Sequence, residues 1–158
     1  MRREGYIKNN QSGLGMIEIL VALLILSIGL LGLAGMQVTS TKMTSMSQQK
    51  TQAMILANDM VERVRANRAN AGAYDNTDVS SGDRCETDFT APGGNVAAND
   101  EAEWTNSVRC LLADGRGDVS VDAGDKEVTV NMQWETRMAA DDDAFVEDQG
   151  KLKVTARY

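Results

Sequence analysis

The stretch Gly13-Leu14-Gly15-Met16-Ile17-Glu18 leads directly into a near-continuous apolar run from Ile19 to Met36. At about 20 residues this run is long enough to cross roughly 30 Å of hydrocarbon as a helix. An acidic residue costs roughly 2.5–3.5 kcal/mol at a bilayer centre on insertion scales. A glutamate at the mouth of such a helix is therefore expected to have a task. Upstream, residues 1–13 are short, polar and basic, with Arg2, Arg3 and Lys8 against Glu4, and end in Gln11-Ser12-Gly13.

Three readings compete for this segment. In an ordinary secretory signal peptide, the small residues of Gly32-Leu33-Ala34 would allow cleavage after Ala34. The apolar stretch is longer than a usual signal core, however, and carries Glu18 near its start. In a plain signal anchor, the basic residues would stay in the cytoplasm and orient the helix. The third reading accounts for the glutamate as well, and it comes from a resemblance.

A basic leader, Gly13, a glutamate five residues on and a greasy helix together resemble the class III signal of the type IV pilin superfamily. The run Ile19-Leu20-Val21-Ala22-Leu23-Leu24-Ile25-Leu26-Ser27-Ile28-Gly29-Leu30-Leu31-Gly32-Leu33-Ala34-Gly35-Met36-Gln37 is most similar to minor pilins of that family. The resemblance implies that a prepilin peptidase cuts between Gly13 and Leu14 on the cytoplasmic side. The new amine of Leu14 is then methylated, and Glu18 becomes the fifth mature residue. Glu18 is expected to face the amine of a neighbouring subunit's first residue inside an apolar filament core. Opposite charges attract strongly there, and their pairing offsets the desolvation of both. Many pilins begin with phenylalanine where this chain has Leu14, another bulky apolar residue. A cut after Gly15 would make Glu18 third, which fits the pattern poorly. Major pilins commonly have proline at the position of Gly35. Gly29, Gly32 and Gly35 lie three apart on one side of the helix. Glycine weakens a helix by about 1 kcal/mol relative to alanine, which favours bending; small residues on one face also suit close packing against another membrane helix.

Beyond Met36 the chain turns polar with no breaker until Gly72. Met36, Met43, Met46, Ala53, Ala57, Met60 and Val64 keep an approximate three-four spacing, interrupted by Lys50. This periodicity predicts an amphipathic helix continuing from the apolar run, with the methionine stripe as core packing. The bases in Asp59-Met60-Val61-Glu62-Arg63-Val64-Arg65-Ala66-Asn67-Arg68 gather where they complement a helix dipole. A helix from Leu14 to Ala69 would be about 84 Å long at 1.5 Å per residue.

Residues 70–107 are rich in Asn, Ala, Gly, Asp and Thr and hold the only proline, Pro92. They read as a long connection with little regular structure, with one short strand or helix around Trp104 to Leu112. Val119-Ser120-Val121, Glu127 to Trp134 and Lys151 to Arg157 alternate and are β-rich, and Asp122-Ala123-Gly124-Asp125 separates the first two as a hairpin turn. The expected fold is α+β: a pilin-like lollipop whose long N-terminal helix packs on a C-terminal antiparallel sheet of three or more strands. The expected division is a cleaved leader at 1–13, a membrane or filament-core half-helix at 14–36, an amphipathic half-helix at 37–70 and a globular head at 71–158.

Composition narrows the function. The formal charge is −7 over 158 residues. Without residues 1–13, 13 bases face 22 acids. Such a surface repels phosphate, so a general nucleic-acid-binding face is not expected. There is no histidine, which removes the commonest general base and the commonest zinc ligand. Two cysteines fall short of a four-thiolate zinc site, and sparse aromatics leave little for a base-stacking platform. No nucleophile motif or nucleotide-binding loop is present, so neither an enzyme nor a cofactor is expected. Asp141-Asp142-Asp143 with Glu147 and Asp148, like Asp114, Asp118, Asp122 and Asp125, matches no calcium-loop spacing and reads as solvated loop.

The resemblance places Cys85 and Cys110, 25 positions apart, in the part facing the periplasm. An oxidising compartment favours a disulfide there, with free thiols or a redox pair as the alternative. The implied function is that of a minor pilin. Such a chain waits in the inner membrane with its head in the periplasm and then joins a pilus on the cell surface. Its expected partners are other minor pilins, the major pilin, the prepilin peptidase/N-methyltransferase and the inner-membrane assembly platform, with a tip adhesin as a further possible partner. The alternative is a minor pseudopilin of a type II secretion system, which shares the signal and the helix.

Overall fold

The computed structural model describes residues 15–80, 84–136 and 148–158. The element order is α1 (Met16–Ala66), a 3-10 helix (Arg68–Tyr74), β1 (Thr77–Val79), α2 (Val96–Leu111), β2 (Arg116–Asp122), β3 (Glu127–Thr136) and β4 (Asp148–Arg157). The chain divides into two compact units, Met1–Thr41 and Lys42–Tyr158.

In the first unit the described residues are the N-terminal part of α1. Every residue from 15 to 41 is exposed. The helix is long and apolar enough to cross a membrane, and none of its apolar window is buried. Hydroxyls inside this part are satisfied locally: Ser27 Oγ donates to the Leu23 carbonyl at 2.7 Å, and Thr39 Oγ1 to that of Gly35 at 3.2 Å. The helix runs unbroken through Gly29, Gly32 and Gly35. An added Cβ at any of the three would meet nothing within 4 Å.

The second unit holds the core. Ala53, Leu56, Ala57, Met60, Val61 and Val64 recur at three-four spacing and are all buried, the face that a 3.6-residue period brings together. They form one apolar cluster with Ala97, Trp104 and Val108 of α2 and with Val119, Val128, Val130, Met132 and Trp134 of the sheet. The methionine stripe therefore splits: Met60 is core, whereas Met36 and Met43 are 71% and 65% exposed.

The four strands form an antiparallel sheet in the order β1-β2-β3-β4. Strict alternation along β3 buries Val128, Val130, Met132, Trp134 and Thr136, as a sheet with one covered face requires. The β2–β3 turn is built on Asp122, whose Oδ1 accepts from the backbone N–H groups of Gly124 (2.8 Å) and Asp125 (3.1 Å), an Asx turn. Two glycines are needed by contact. A Cβ on Gly117 would lie 2.7 Å from Trp104 Cη2, and one on Gly150 would enter the Trp134 indole, its cross-strand neighbour.

Three expectations need correction. Helix α1 stops at Ala66 and gives way to 3-10 turns. The backbone leaves helical geometry at Asn67 (φ −111°, ψ 37°) and again at Asn70 (φ −121°, ψ 28°), whose N–H bonds the Asn67 carbonyl at 2.8 Å. Asparagine ranks low among helix formers and favours caps and turns. The stretch expected to be irregular holds the 16-residue helix α2, which begins well before Trp104. Asn95 caps it by accepting from the Ala98 N–H at 2.8 Å, after Gly93 and Gly94 turn the chain at φ +77° and +106°. It also holds the three-residue strand β1.

Candidate functional site

The amino end of α1 is the first candidate. Gly13 and Leu14 lie outside the described residues. Glu18 sits in the first helical turn, its N–H bonded to the Gly15 carbonyl at 2.9 Å. Unsatisfied N–H groups give this end of a helix partial positive charge, which favours a carboxylate there. Met16 and Ile17 beside it are 84% and 71% exposed. Apolar exposure continues through Val38, far beyond the few hundred Å² that a soluble monomer tolerates in one patch. This part of α1 needs lipid or other helices around it.

A second constellation ties the helices of the Lys42–Tyr158 unit together. The Arg63 guanidinium reaches Asp59 on its own helix at 2.9 Å, and Asp100 and Glu103 on α2 at 2.9 and 3.0 Å. Burial alone would lower its pKa. The hydrogen bonds to Asp59, Glu103 and Asp100 outweigh that and hold it above the ordinary arginine range. Tyr74 Oη donates to Asp100 Oδ2 at 2.6 Å. Burial, together with this bond to a carboxylate, pushes the phenol up to about 12. The fully buried Trp104 donates its indole N–H to the Leu56 carbonyl at 2.9 Å, pinning α2 to the backbone of α1. Thr77 Oγ1 lies 2.8 Å from Glu101 Oε1 and 2.9 Å from the Tyr74 carbonyl.

Cys85 and Cys110 are disulfide-bonded, with Cα atoms 4.6 Å apart. Next to the bridge, Asn106 takes both backbone polar groups of Glu86: its Oδ1 accepts from the N–H at 2.9 Å and its Nδ2 donates to the carbonyl at 3.0 Å. The segment after β1 is thereby fastened to the last turns of α2.

Three of the carboxylates weighed as calcium ligands have partners within the head. Asp114 pairs with Arg116 at 2.6 Å, Asp118 accepts from Asn131 at 2.8 Å, and Asp122 holds its turn. Among the described residues no three potential ligands come together as a metal site. Residues 141–143 and Glu147 lie outside the described residues, and Asp148 opens β4. Sequence reasoning singled out Glu18 and the two cysteines but missed the Arg63–Asp100–Tyr74 cluster. The Asp59/Arg63 pair is visible as an i,i+4 spacing; Asp100 and Glu103 join it only because α2 exists.

Comparison with known families now bears on these features. Residues 8–34 match the prokaryotic N-terminal methylation motif. Residues 35–104 match a family model described as type IV pilin Tt1218. These matches support the type IV pilin superfamily. No curated protein and no solved structure matches the chain. The methylation match spans Gly13, Leu14 and Glu18, and the pilin match runs from Gly35 through the buried face of α1 to Trp104. A long N-terminal helix packed on a four-stranded antiparallel sheet is the pilin arrangement of α+β structure. The pilin family is structural, not enzymatic. A prepilin motif on an exposed apolar helix is consistent with membrane anchoring before assembly, and points to other pilins and the prepilin peptidase as partners.

Proposed function

We propose that this chain is a PilV-type minor pilin, which joins other minor pilins to prime assembly of a type IV pilus and enters the filament with the major pilin. The observation that carries the reading is the continuity of a methylation motif with a pilin match across α1, joined to an apolar helix face left exposed among the described residues. The residues from Ile19 to Gln37, and the Asp59 to Arg68 helix end, favour the minor-pilin assignment. The leader ends at Gly13, and Leu14 becomes the methylated first residue. Glu18 pairs with the amine of the neighbouring subunit's Leu14-equivalent in the filament core. Charge pairing and helix packing are the whole of the chemistry. The head lies in the periplasm before assembly, where the Cys85–Cys110 bridge forms, and the inner-membrane platform and a tip adhesin are further partners.

A minor pseudopilin of a type II secretion system would use the same signal and helix. Filaments sheared from the cell surface separate the two. A pilus subunit is recovered in them by mass spectrometry; recovery only in the membrane fraction, with loss of protein secretion on gene deletion, rejects the pilus assignment.

A further inference from the structure

Among the described residues the four-stranded sheet ends in two edge strands, β1 and β4, whose exposed side chains carry opposite charge. On β4, Lys151, Lys153, Thr155 and Arg157 alternate outward, while Leu152, Val154 and Ala156 turn in. On the other edge, Asp78 of β1 stands directly opposite Asp118 of β2, and both are exposed. Like charges directly opposed across strands are destabilising. Among the described residues Asp78 accepts from the Ser80 hydroxyl at 3.1 Å, and Asp118 from Asn131. The nearby Arg116 is engaged by Asp114. Among the described residues, neither Asp78 nor Asp118 has an ion-pair partner, and neither do Lys151 and Lys153. Asp78, Ser80, Arg116, Asp118, Asn131 and Gln133 line a recess of about 280 Å³.

One row of the register crosses the whole sheet: Asp78, Asp118, Asn131, Lys153. Three strand spacings, about 14 Å, separate its ends. That exceeds the screening length of about 8 Å at physiological salt, so Lys153 does little to offset Asp78 in its own copy. A second copy brings the two ends together. We propose that β4 of one copy docks through Lys151 and Lys153 against the β1–β2 edge of a second copy, whose Asp78 and Asp118 receive the ammonium groups. The contact is heterologous, the basic edge of one copy meeting the acidic edge of the other. In an acidic chain this row of bases gives the contact its direction and excludes the wrong orientation. Lysines on an edge strand also keep strands from pairing. That role is indifferent to sign, so exchanging the charges separates it from docking. The inference concerns the head alone and holds for either kind of filament.

The test uses full-length protein in neutral phosphatidylcholine vesicles, with isotopically light and heavy copies mixed and joined by a zero-length carbodiimide. Between copies, Lys151 and Lys153 are expected to link to Asp78 and Asp118, with a yield falling about tenfold between low and high salt. A charge-exchanged variant (D78K/D118K with K151E/K153E) is expected to link to itself as wild type does. Mixed wild-type and exchanged copies, read by energy transfer between fluorophore-labelled copies because a carbodiimide cannot join like groups, are expected to associate about tenfold less than like copies, because acid then meets acid and base meets base. The proposal is overturned if wild-type links between these groups are absent or insensitive to salt, or if mixed pairs form as readily as like pairs. Wild-type salt dependence decides the matter alone if the exchanged variant does not fold. Mass analysis of Leu14 in native material reads the proposed function separately.

Discussion

Replacing Arg63 with methionine keeps the aliphatic stem and removes the one cation on which three carboxylates converge. Asp59, Asp100 and Glu103 would then face one another, with side chains 44%, 20% and 47% exposed. Breaking a fully buried ion pair costs about 3–5 kcal/mol, and an exposed one about 0.2–1 kcal/mol. The Asp100 pair is nearest the first case and the other two are nearest the second, so a loss of about 2–3 kcal/mol follows. Over a folded unit of this size that lowers Tm by about 10 °C. The assay is thermal unfolding of the detergent-solubilised full chain, with the disulfide intact, followed by near-ultraviolet circular dichroism. Because the cost comes from uncompensated carboxylates, it is expected to shrink by at least half in an Asp100→Asn background. A loss below about 0.5 kcal/mol, or one unchanged in the Asp100→Asn background, would refute the reasoning.

The raised pKa of Tyr74 means that the folded state holds the phenolic proton more tightly than the unfolded chain does. Its contribution is complete below pH 10 and disappears as pH rises through about 12. On the order of 2–3 kcal/mol is at stake, and Tyr74→Phe is expected to flatten that part of the stability–pH curve in denaturant titrations. Gly117→Ala presses a methyl against Trp104 and is expected to cost about 1–3 kcal/mol, visible as a lower denaturation midpoint with unchanged slope. Replacing Cys85 and Cys110 together with serine opens a loop with a sequence separation of 25. The expected loss is about 3–4 kcal/mol in the chain-entropy model, with proteolytic sensitivity appearing first between β1 and α2.

Elements with a long apolar period were legible in the sequence. The three-four spacing of Ala53, Ala57, Met60 and Val64 identifies the buried face of α1, and the alternation of β3 identifies its inward residues, because burial on one side imposes each pattern. Trp134 alternates correctly, but that Gly150 exists to receive its indole depends on a register set across the sheet. Helix α2 was obscured by composition. Asn95, Asn99 and Asp100 look like turn residues, yet Asn95 is a cap and Asp100 is a ligand of Arg63 and Tyr74. With α2 unread, the clamp it completes was unread too. Strand β1 is three residues long, too short for any period to declare it. At the amino end the opposite holds. Residues 8–34 match the N-terminal methylation motif, and in the function proposed here Gly13, Leu14 and Glu18 act through their spacing along the chain, which owes little to the fold of the head.

The most direct test of the account is therefore the N-terminus of the protein taken from its native membranes and read by mass spectrometry. The account expects a chain beginning at N-methylated Leu14. A chain beginning at intact Met1, or at Gly35 after removal of an ordinary signal peptide, would contradict it.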